Sequence, residues 1–140
     1  MKKFAYKVAI IISIQLVIAA IHAFRLGQIF EGNLYNMYYS YFSDLILPFG
    51  IYFLLSANEY SIPFLRQWHV KALAVFSVAT LAEILQYFGV YALGVTFDPV
   101  DILMYGCGVT LAVIVDTQVF SRMFKFWTLE DSKHTESNRL

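Results

Sequence analysis

Carboxylate side chains lie within otherwise apolar stretches of this sequence. Asp44 and Glu83 each stand inside a long apolar run, and Asp98 and Asp101 open another one. Gln86 follows Glu83 at i+3, so in a helix the two side chains share one face. Carboxylates that converge inside a protein can exchange protons, hold a cation or act as a general acid and base. These residues are therefore the first candidates for a site.

The apolar runs around these acids are long enough to cross a membrane. Of the 140 residues, 59 % are hydrophobic and only 14 % are charged, whereas about 25 % of residues are charged in soluble domains. A spanning helix needs about 20 mainly apolar residues. Four segments satisfy this requirement, at about 4–24, 36–56, 70–91 and 99–120. The sequence predicts an all-α membrane protein, a four-transmembrane-helix bundle in one domain over residues 1–126, with a polar, disordered cytoplasmic tail over residues 127–140.

The basic residues are distributed unequally along the chain. If the four segments alternate in direction, Arg25 is the only one of the ten lysines and arginines that falls on the second side. Basic residues collect on the cytoplasmic side of membrane proteins, so both termini are predicted to be cytoplasmic. Lys2 and Lys3 before an apolar run also fit the start of a signal peptide, but Ile21 is a poor residue for cleavage after Ala23.

Asp44 and Glu83 are predicted to lie at similar depth in the outer half of the membrane. Each is eight residues from the outer end of its predicted segment, which is about 12 Å in a helix. A charge at that depth costs about 2.5–3.5 kcal/mol, so both should face protein. Pro48 removes a hydrogen bond to the carbonyl of Asp44, which favours a polar cavity there. We therefore predict that Asp44, Glu83, Gln86 and Asp101 line one outward-facing pocket.

The segment from Asp98 to Asp101 also has the pattern of a helix start. Asp98 is a good N-cap, Pro99 suits the first helical position, and Asp101 stands where a capping box places an acid. Capping alone would explain both acids. Asp101 shares a face with Tyr105 and Gly108, however, so a place in the pocket stays open for it. Gly106 and Gly108 also predict a close approach of another helix.

Other charged residues allow more than one interpretation. Arg25, the only outer cation, could form an interfacial pair with His22 or neutralise one of the outer acids. Asp116, near the inner end of the fourth segment, could pair with Lys71 or Arg122. His22 and the acids could form a metal site, but their spacing fits no known ligand motif. No metal and no cofactor is therefore predicted.

Several classes of site have no support in the sequence. Cys107 is the only cysteine, so an intrachain disulfide and a multi-cysteine zinc site are both excluded. No catalytic or nucleotide-binding motif is present. Nucleic-acid binding is not predicted, because no basic run is interleaved with aromatic residues. The expected partner is the lipid bilayer, and a homo-oligomer is compatible with the sequence.

The segment from Glu83 to Gly108 carries a longer pattern, E-x-x-Q followed by D-x-x-D-x-x-x-Y-x-x-G. This pattern resembles the VanZ-like family of small bacterial membrane proteins, and the resemblance spans about residues 41–116. It implies a bacterial inner-membrane (cytoplasmic-membrane) protein of four or five helices. The shared polar positions would be Asp44, Glu83, Gln86, Asp98 and Asp101.

The namesake of that family is associated with low-level resistance to the glycopeptide teicoplanin. Tyr105 stands where the namesake more often has asparagine, and no arginine precedes Asp98 in the short loop. Both differences make the chain more similar to the uncharacterised relatives of the namesake. The resemblance therefore implies a family pattern of polar residues rather than a resistance function.

Three functions are compatible with these observations. The outward pocket could bind or transport a cation, a proton or an amphiphile headgroup linked to the cell envelope. The protein could instead be a non-catalytic structural or accessory membrane protein, in which the acids only cap helices and form ion pairs. An intramembrane enzyme that uses carboxylates or a metal is the least favoured of the three. Convergence of Asp44, Glu83 and Asp101 would favour the binding function.

Overall fold

A computed structural model describes residues 2–91 and 97–128, except for the side chain of Leu26. Four long helices make up most of this structure, and no strand occurs within those two ranges. They are α1 (Lys2–Ala23), α2 (Asn33–Ala57), α3 (Trp68–Tyr87) and α4 (Pro99–Ile114). α4 continues without a break as a π-helix, Val115–Phe120, and a last helical turn, Ser121–Met123.

All four helices are long and apolar enough to cross a membrane, with α4 counted through Met123. This result confirms the predicted helical class and the number of spans. Large apolar side chains such as Leu16, Leu73 and Leu103 are more than half exposed, as expected of surfaces that face lipid. The chain is therefore a multi-pass membrane protein.

The ends of two helices differ from their predicted positions. α2 begins at Asn33 rather than 36, and α3 ends at Tyr87 rather than 91. α3 ends early because Gly89 adopts a positive φ of 76°, which a glycine tolerates without strain. The N–H of Gly89 bonds the carbonyl of Gln86, and that of Val90 bonds the carbonyl of Leu85. This pair of bonds is a Schellman motif.

The two ends of the bundle are named here by one residue each. The Asp98 end contains the carboxyl ends of α1 and α3 and the amino ends of α2 and α4. The Lys7 end contains the four opposite helix ends. The apolar core lies toward the Lys7 end and includes Ile11, Tyr52, Phe53 and Trp127.

α2 and α4 pack more extensively than any other pair of helices. Their backbones come closest at Gly108, where an added Cβ would lie 2.0 Å from the carbonyl oxygen of Leu45 and 3.0 Å from Pro48 Cγ. Only glycine fits at this point, which confirms the predicted close approach at Gly108. The turn of α2 from Leu45 to Pro48 is thereby held directly against α4, and Asp44 directly precedes it. At Gly106 the prediction is wrong, because an added Cβ would meet only a ring atom of Phe76 at 3.6 Å.

Candidate functional site

The four acids predicted from the sequence come together at the Asp98 end. Asp44 of α2 is close enough to Asp101 of α4 for a hydrogen bond, and it also interacts electrostatically with Glu83 of α3 and Asp98. Asp101 likewise interacts with the other three carboxyl groups. Three helices therefore contribute to one group of carboxylates. Asp44, Glu83, Asp98 and Asp101 are called the acidic cluster below.

Glu83 is the most deeply buried member of the acidic cluster, with 2 % of its surface exposed. The hydroxyl of Tyr105 on α4 donates a hydrogen bond of 2.8 Å to Glu83 Oε1, and Gln86 Nε2 donates to the same oxygen at 3.4 Å. Glu83 Oε2 is buried and has no hydrogen-bond partner within the described residues. The prediction that Glu83 is buried and faces a neighbouring helix is therefore confirmed.

The acids do not meet at equal distances from their helix ends. Glu83 is four residues from the end of α3 at Tyr87, which is about 6 Å. Asp44 is eleven residues from the start of α2 at Asn33, which is about 16 Å. The predicted distance of eight residues from the helix end is thus wrong for both acids, although their interaction with each other agrees with a similar depth in the bundle. The acids still meet because α2 extends beyond its neighbours at the Asp98 end.

Asp98 and Asp101 have different roles, although the sequence allowed capping for both. The main-chain N–H of Val100 donates a 2.9 Å hydrogen bond to Asp98 Oδ1, so Asp98 is the N-cap of α4. Asp101 contributes only its main-chain N–H to that turn, at 3.0 Å from the carbonyl oxygen of Asp98. Its side chain faces Asp44. Capping therefore explains Asp98 but does not explain Asp101.

The outer cation expected from the sequence does not neutralise these acids. Arg25 lies exposed after α1 with a left-handed φ of 47°, and no ion pair of Arg25 occurs within residues 2–91 and 97–128. His22 instead bonds the carbonyl of Ile18 at 3.0 Å and Ser43 Oγ at 3.3 Å. No basic group acts on Asp44 or on Asp101. The acidic cluster therefore has no internal counter-ion in the part of the chain that is described.

Proximity alone does not make the acidic cluster a metal site. Across the two described ranges, no three His, Cys, Asp or Glu side chains are placed so that they could hold one ion. A metal ion needs several oxygen ligands within about 2.6 Å. The carboxylates are close enough to influence one another but are too dispersed for that geometry. A larger group that donates several hydrogen bonds suits this spacing better.

No family model, curated protein or solved structure matches the chain. The VanZ-like resemblance therefore stays a prediction. Beside the acidic cluster, the bundle holds a second group of charged residues at the Lys7 end.

Asp116 is the centre of that second group. Lys71 Nζ of α3 lies 2.9 Å from Asp116 Oδ2, which also accepts a 2.6 Å hydrogen bond from the hydroxyl of Tyr52. Trp127 Nε1 donates to Asp116 Oδ1 at 2.5 Å. Of the two predicted partners of Asp116, Lys71 is therefore confirmed, whereas the exposed Arg122 is not its partner.

Glu59, in the connection between α2 and α3, joins this group to α1. Lys7 Nζ lies 2.5 Å from Glu59 Oε2, and Lys71 pairs with Glu59 Oε1. Lys71 also donates to Ser56 Oγ at 2.9 Å, and Lys7 donates to the carbonyl oxygen of Trp127 at 3.0 Å. Lys7, Glu59, Lys71 and Asp116 are all buried. They are called the ionic network below.

The ionic network has equal numbers of cations and anions, and its charged groups bond one another. This completeness distinguishes it from the acidic cluster, where one carboxylate oxygen has no partner among the described residues. A cavity of about 360 Å³ adjoins the network and is also lined by Thr117 and Ser121. Buried charges of this kind are expensive to separate, so the network most directly serves to hold the helices together.

Contacts with the ionic network place Trp127 in the bundle rather than in the predicted tail. Trp127 was placed in the tail by its position after Phe126, yet only 2 % of its surface is exposed. Its indole packs against Phe53 and Phe120. The bundle therefore extends beyond residue 126, and residues 129–140 of the predicted tail lie outside the described residues.

Proposed function

We propose that the acidic cluster binds a positively charged group of ammonium type, on a small molecule or on a lipid headgroup. The observation that carries this proposal is Glu83 Oε2, which is a buried carboxylate oxygen without a hydrogen-bond donor among residues 2–91 and 97–128. It lies beside further carboxylates, and no basic side chain within the same two ranges acts on Asp44 or Asp101. A buried charged oxygen without a partner is unfavourable by itself, and a bound donor would remove that penalty.

Electrostatic repulsion within the acidic cluster favours the same ligand. Asp44 and Asp101 are within hydrogen-bonding distance, and two ionised carboxylates at that distance repel each other. Such a pair is stabilised by a proton or a cation between the two groups. An anion would add to the repulsion, so the ligand must be positive or must deliver a proton. An ammonium group is positive, and its several N–H groups can donate hydrogen bonds to the carboxylate oxygens.

The burial of the individual acids supports an approach from the Asp98 end. Asp44, Asp98 and Asp101 are partly exposed, whereas Glu83 is almost fully buried. A ligand would therefore reach the exposed surfaces of the aspartates before it reached Glu83. If both termini are cytoplasmic, as the basic residues predict, this approach is from the outside. The proposal agrees with the VanZ-like resemblance, which implies a small protein of the bacterial cytoplasmic membrane with these same acids.

A structural or accessory function is the second candidate, and the ionic network favours it. Lys7, Glu59, Lys71 and Asp116 tie the helices together without a ligand. A protein that only scaffolds others would need that stability and would not need Glu83 to be charged. The binding function therefore requires a charged Glu83 carboxylate, whereas the accessory function does not.

Replacement of Glu83 by glutamine tests this difference, because it keeps the shape of the side chain and removes its charge. We expect the parent protein to bind butylammonium in lipid nanodiscs, measured by isothermal titration calorimetry. Glu83→Gln should weaken binding at least about tenfold, since a charge-assisted hydrogen bond contributes about 1.5–3 kcal/mol. Membrane insertion and thermal stability should be kept.

Glu31→Gln is the matched control, because Glu31 is an exposed acid outside the acidic cluster. That variant should bind butylammonium as the parent does. Equal binding by Glu83→Gln and the parent, or no binding by the parent, would contradict the proposal. The accessory function would then be the better account.

A further inference from the structure

An apolar groove between α2 and α3 ends at the acidic cluster. It encloses about 190 Å³ and is lined by α2 from Leu47 to Leu55, by α3 from Ala74 to Ala79, and by Tyr105. Its rim is open to the lipid-facing surface, because Leu47 is 46 % exposed and Val78 is 66 % exposed. Eight residues separate its two ends along α2, which corresponds to about 12 Å.

The acids continue the lining of this groove toward the Asp98 end. Asp44 precedes Leu47 by three residues, and Glu83 follows Ala79 by four. Residues three or four apart lie one above the other on a helix. Asp101 precedes Tyr105 by four residues in the same way. On each of the three helices, the acid is thus one turn beyond the end of the groove.

Tyr105 connects the groove to the acidic cluster directly. Its ring lines the groove, and its hydroxyl donates the 2.8 Å hydrogen bond to Glu83 Oε1. The lining therefore changes from apolar to acidic at this one side chain. A ligand that fits both parts must have a cationic end and an apolar end, in line with the helix axes.

We infer that the ligand of the acidic cluster is an amphiphile with a single alkyl or acyl chain. Its ammonium group is bound by the carboxylates, and its chain lies in the groove between α2 and α3. This inference rests on the proposed function and names the class of ligand. A lipid in the membrane leaflet at the Asp98 end has this polarity, since its headgroup is at the surface and its chain points toward the middle of the bilayer.

The dependence of affinity on chain length tests the inference. We expect the parent protein in nanodiscs to bind dodecylammonium at least tenfold more tightly than butylammonium, with both probes kept below micelle formation. Ala74→Phe should reduce this ratio about tenfold, because the new ring fills the groove at the end remote from the acids. Its affinity for butylammonium should be unchanged, since Ala74 is nine residues from Glu83.

Leu73→Phe is the matched control, because Leu73 is a neighbouring, lipid-facing residue outside the groove lining. All variants lie in the same bilayer, so partition of dodecylammonium into lipid is equal for each of them. The control should keep the parent ratio. Ile51→Trp fills the groove from α2 and provides a second blocked variant if Ala74→Phe does not fold.

The outcomes separate this inference from the proposed function. If the parent does not bind butylammonium, the proposed function fails and the inference fails with it. If the parent binds butylammonium but both blocked variants keep the parent ratio, the cationic site stands and the groove does not hold the chain. An equal loss for both chain lengths would also overturn the inference, because it would show a general effect on the acidic cluster.

Discussion

Replacement of Lys71 by methionine should destabilise the bundle strongly. Lys71 is 1 % exposed, and its ammonium group contacts Ser56, Glu59 and Asp116. Methionine keeps most of the side-chain volume but leaves two buried carboxylates with one fewer cation. Loss of one partner from a buried ion pair costs about 3–5 kcal/mol. We therefore expect Lys71→Met to lower the free energy of unfolding by about that amount.

A double-mutant cycle shows whether this loss comes from the ion pair. Asp116→Leu should be comparably destabilising, but the double variant Lys71→Met/Asp116→Leu should lose less than the sum of the two single losses. For residues in contact, the difference is about 0.5–3 kcal/mol. Lys125→Met is the control, because Lys125 is an exposed cation at the same end, and it should change stability by less than about 0.5 kcal/mol.

Unfolding of the purified variants by sodium dodecyl sulfate in mixed micelles, followed by tryptophan fluorescence, measures these free energies. Fluorescence is suitable because buried Trp127 belongs to the same region of the bundle. Strict additivity of the two single losses would refute the coupling between Lys71 and Asp116. A loss below about 1 kcal/mol for Lys71→Met would show that the network contributes no more than a surface pair.

Three further predictions concern packing and orientation. Trp127→Phe should cost about 1.5–3 kcal/mol in the same unfolding assay, because it removes the N–H bonded to a carboxylate and keeps an aromatic ring. Gly108→Ala should cost about 1–3 kcal/mol, because its Cβ would meet a main-chain oxygen of α2. Gly106→Ala should be nearly neutral, since its Cβ would meet only a ring atom at 3.6 Å, and equal losses would contradict the packing account. Reporters fused between residues 58 and 67 and after residue 128 should be cytoplasmic, whereas one fused within residues 92–96 should report outside, and a cytoplasmic signal there would overturn the predicted orientation.

The acidic cluster could be predicted in large part from the sequence, because a charge within an apolar helix has few favourable places. Glu83 cannot face lipid without a large penalty, so its burial inside the bundle follows from its place in an apolar helix, whereas the choice of α4 over α2 does not. The pattern of Asp98 and Pro99 likewise determines a helix start by local chemistry. The distances of Asp44 and Glu83 from their helix ends could not be predicted, partly because Gly89 ends α3 earlier than hydropathy indicates.

Most of the ionic network could not be predicted from the sequence, because its contacts join residues that are far apart in the chain. Glu59 follows α2 in a connection with ordinary polar residues, and nothing local distinguishes it from a solvated loop acid. Its burial depends on Lys7, which is 52 residues away in the sequence. By its sequence position, Lys7 looked like one of the basic residues that mark the cytoplasmic side of a membrane. Trp127 adjoins a polar tail in the sequence, and only the folded structure shows that its indole belongs to the core.

The order in which a ribosome delivers the chain gives the ionic network a further consequence. Lys7 is synthesised early, Glu59 and Lys71 follow with the second and third helices, and Trp127 emerges only after α4. The contacts between Lys7 and Trp127 join residues 120 apart, so no nascent chain that stops before α4 can complete the network. Until then, the earlier helices are inserted with at least one buried charge lacking its full set of partners. Emergence of Trp127 is therefore the event that completes the network, and quality-control proteases would meet a chain that terminated before α4 in an open form.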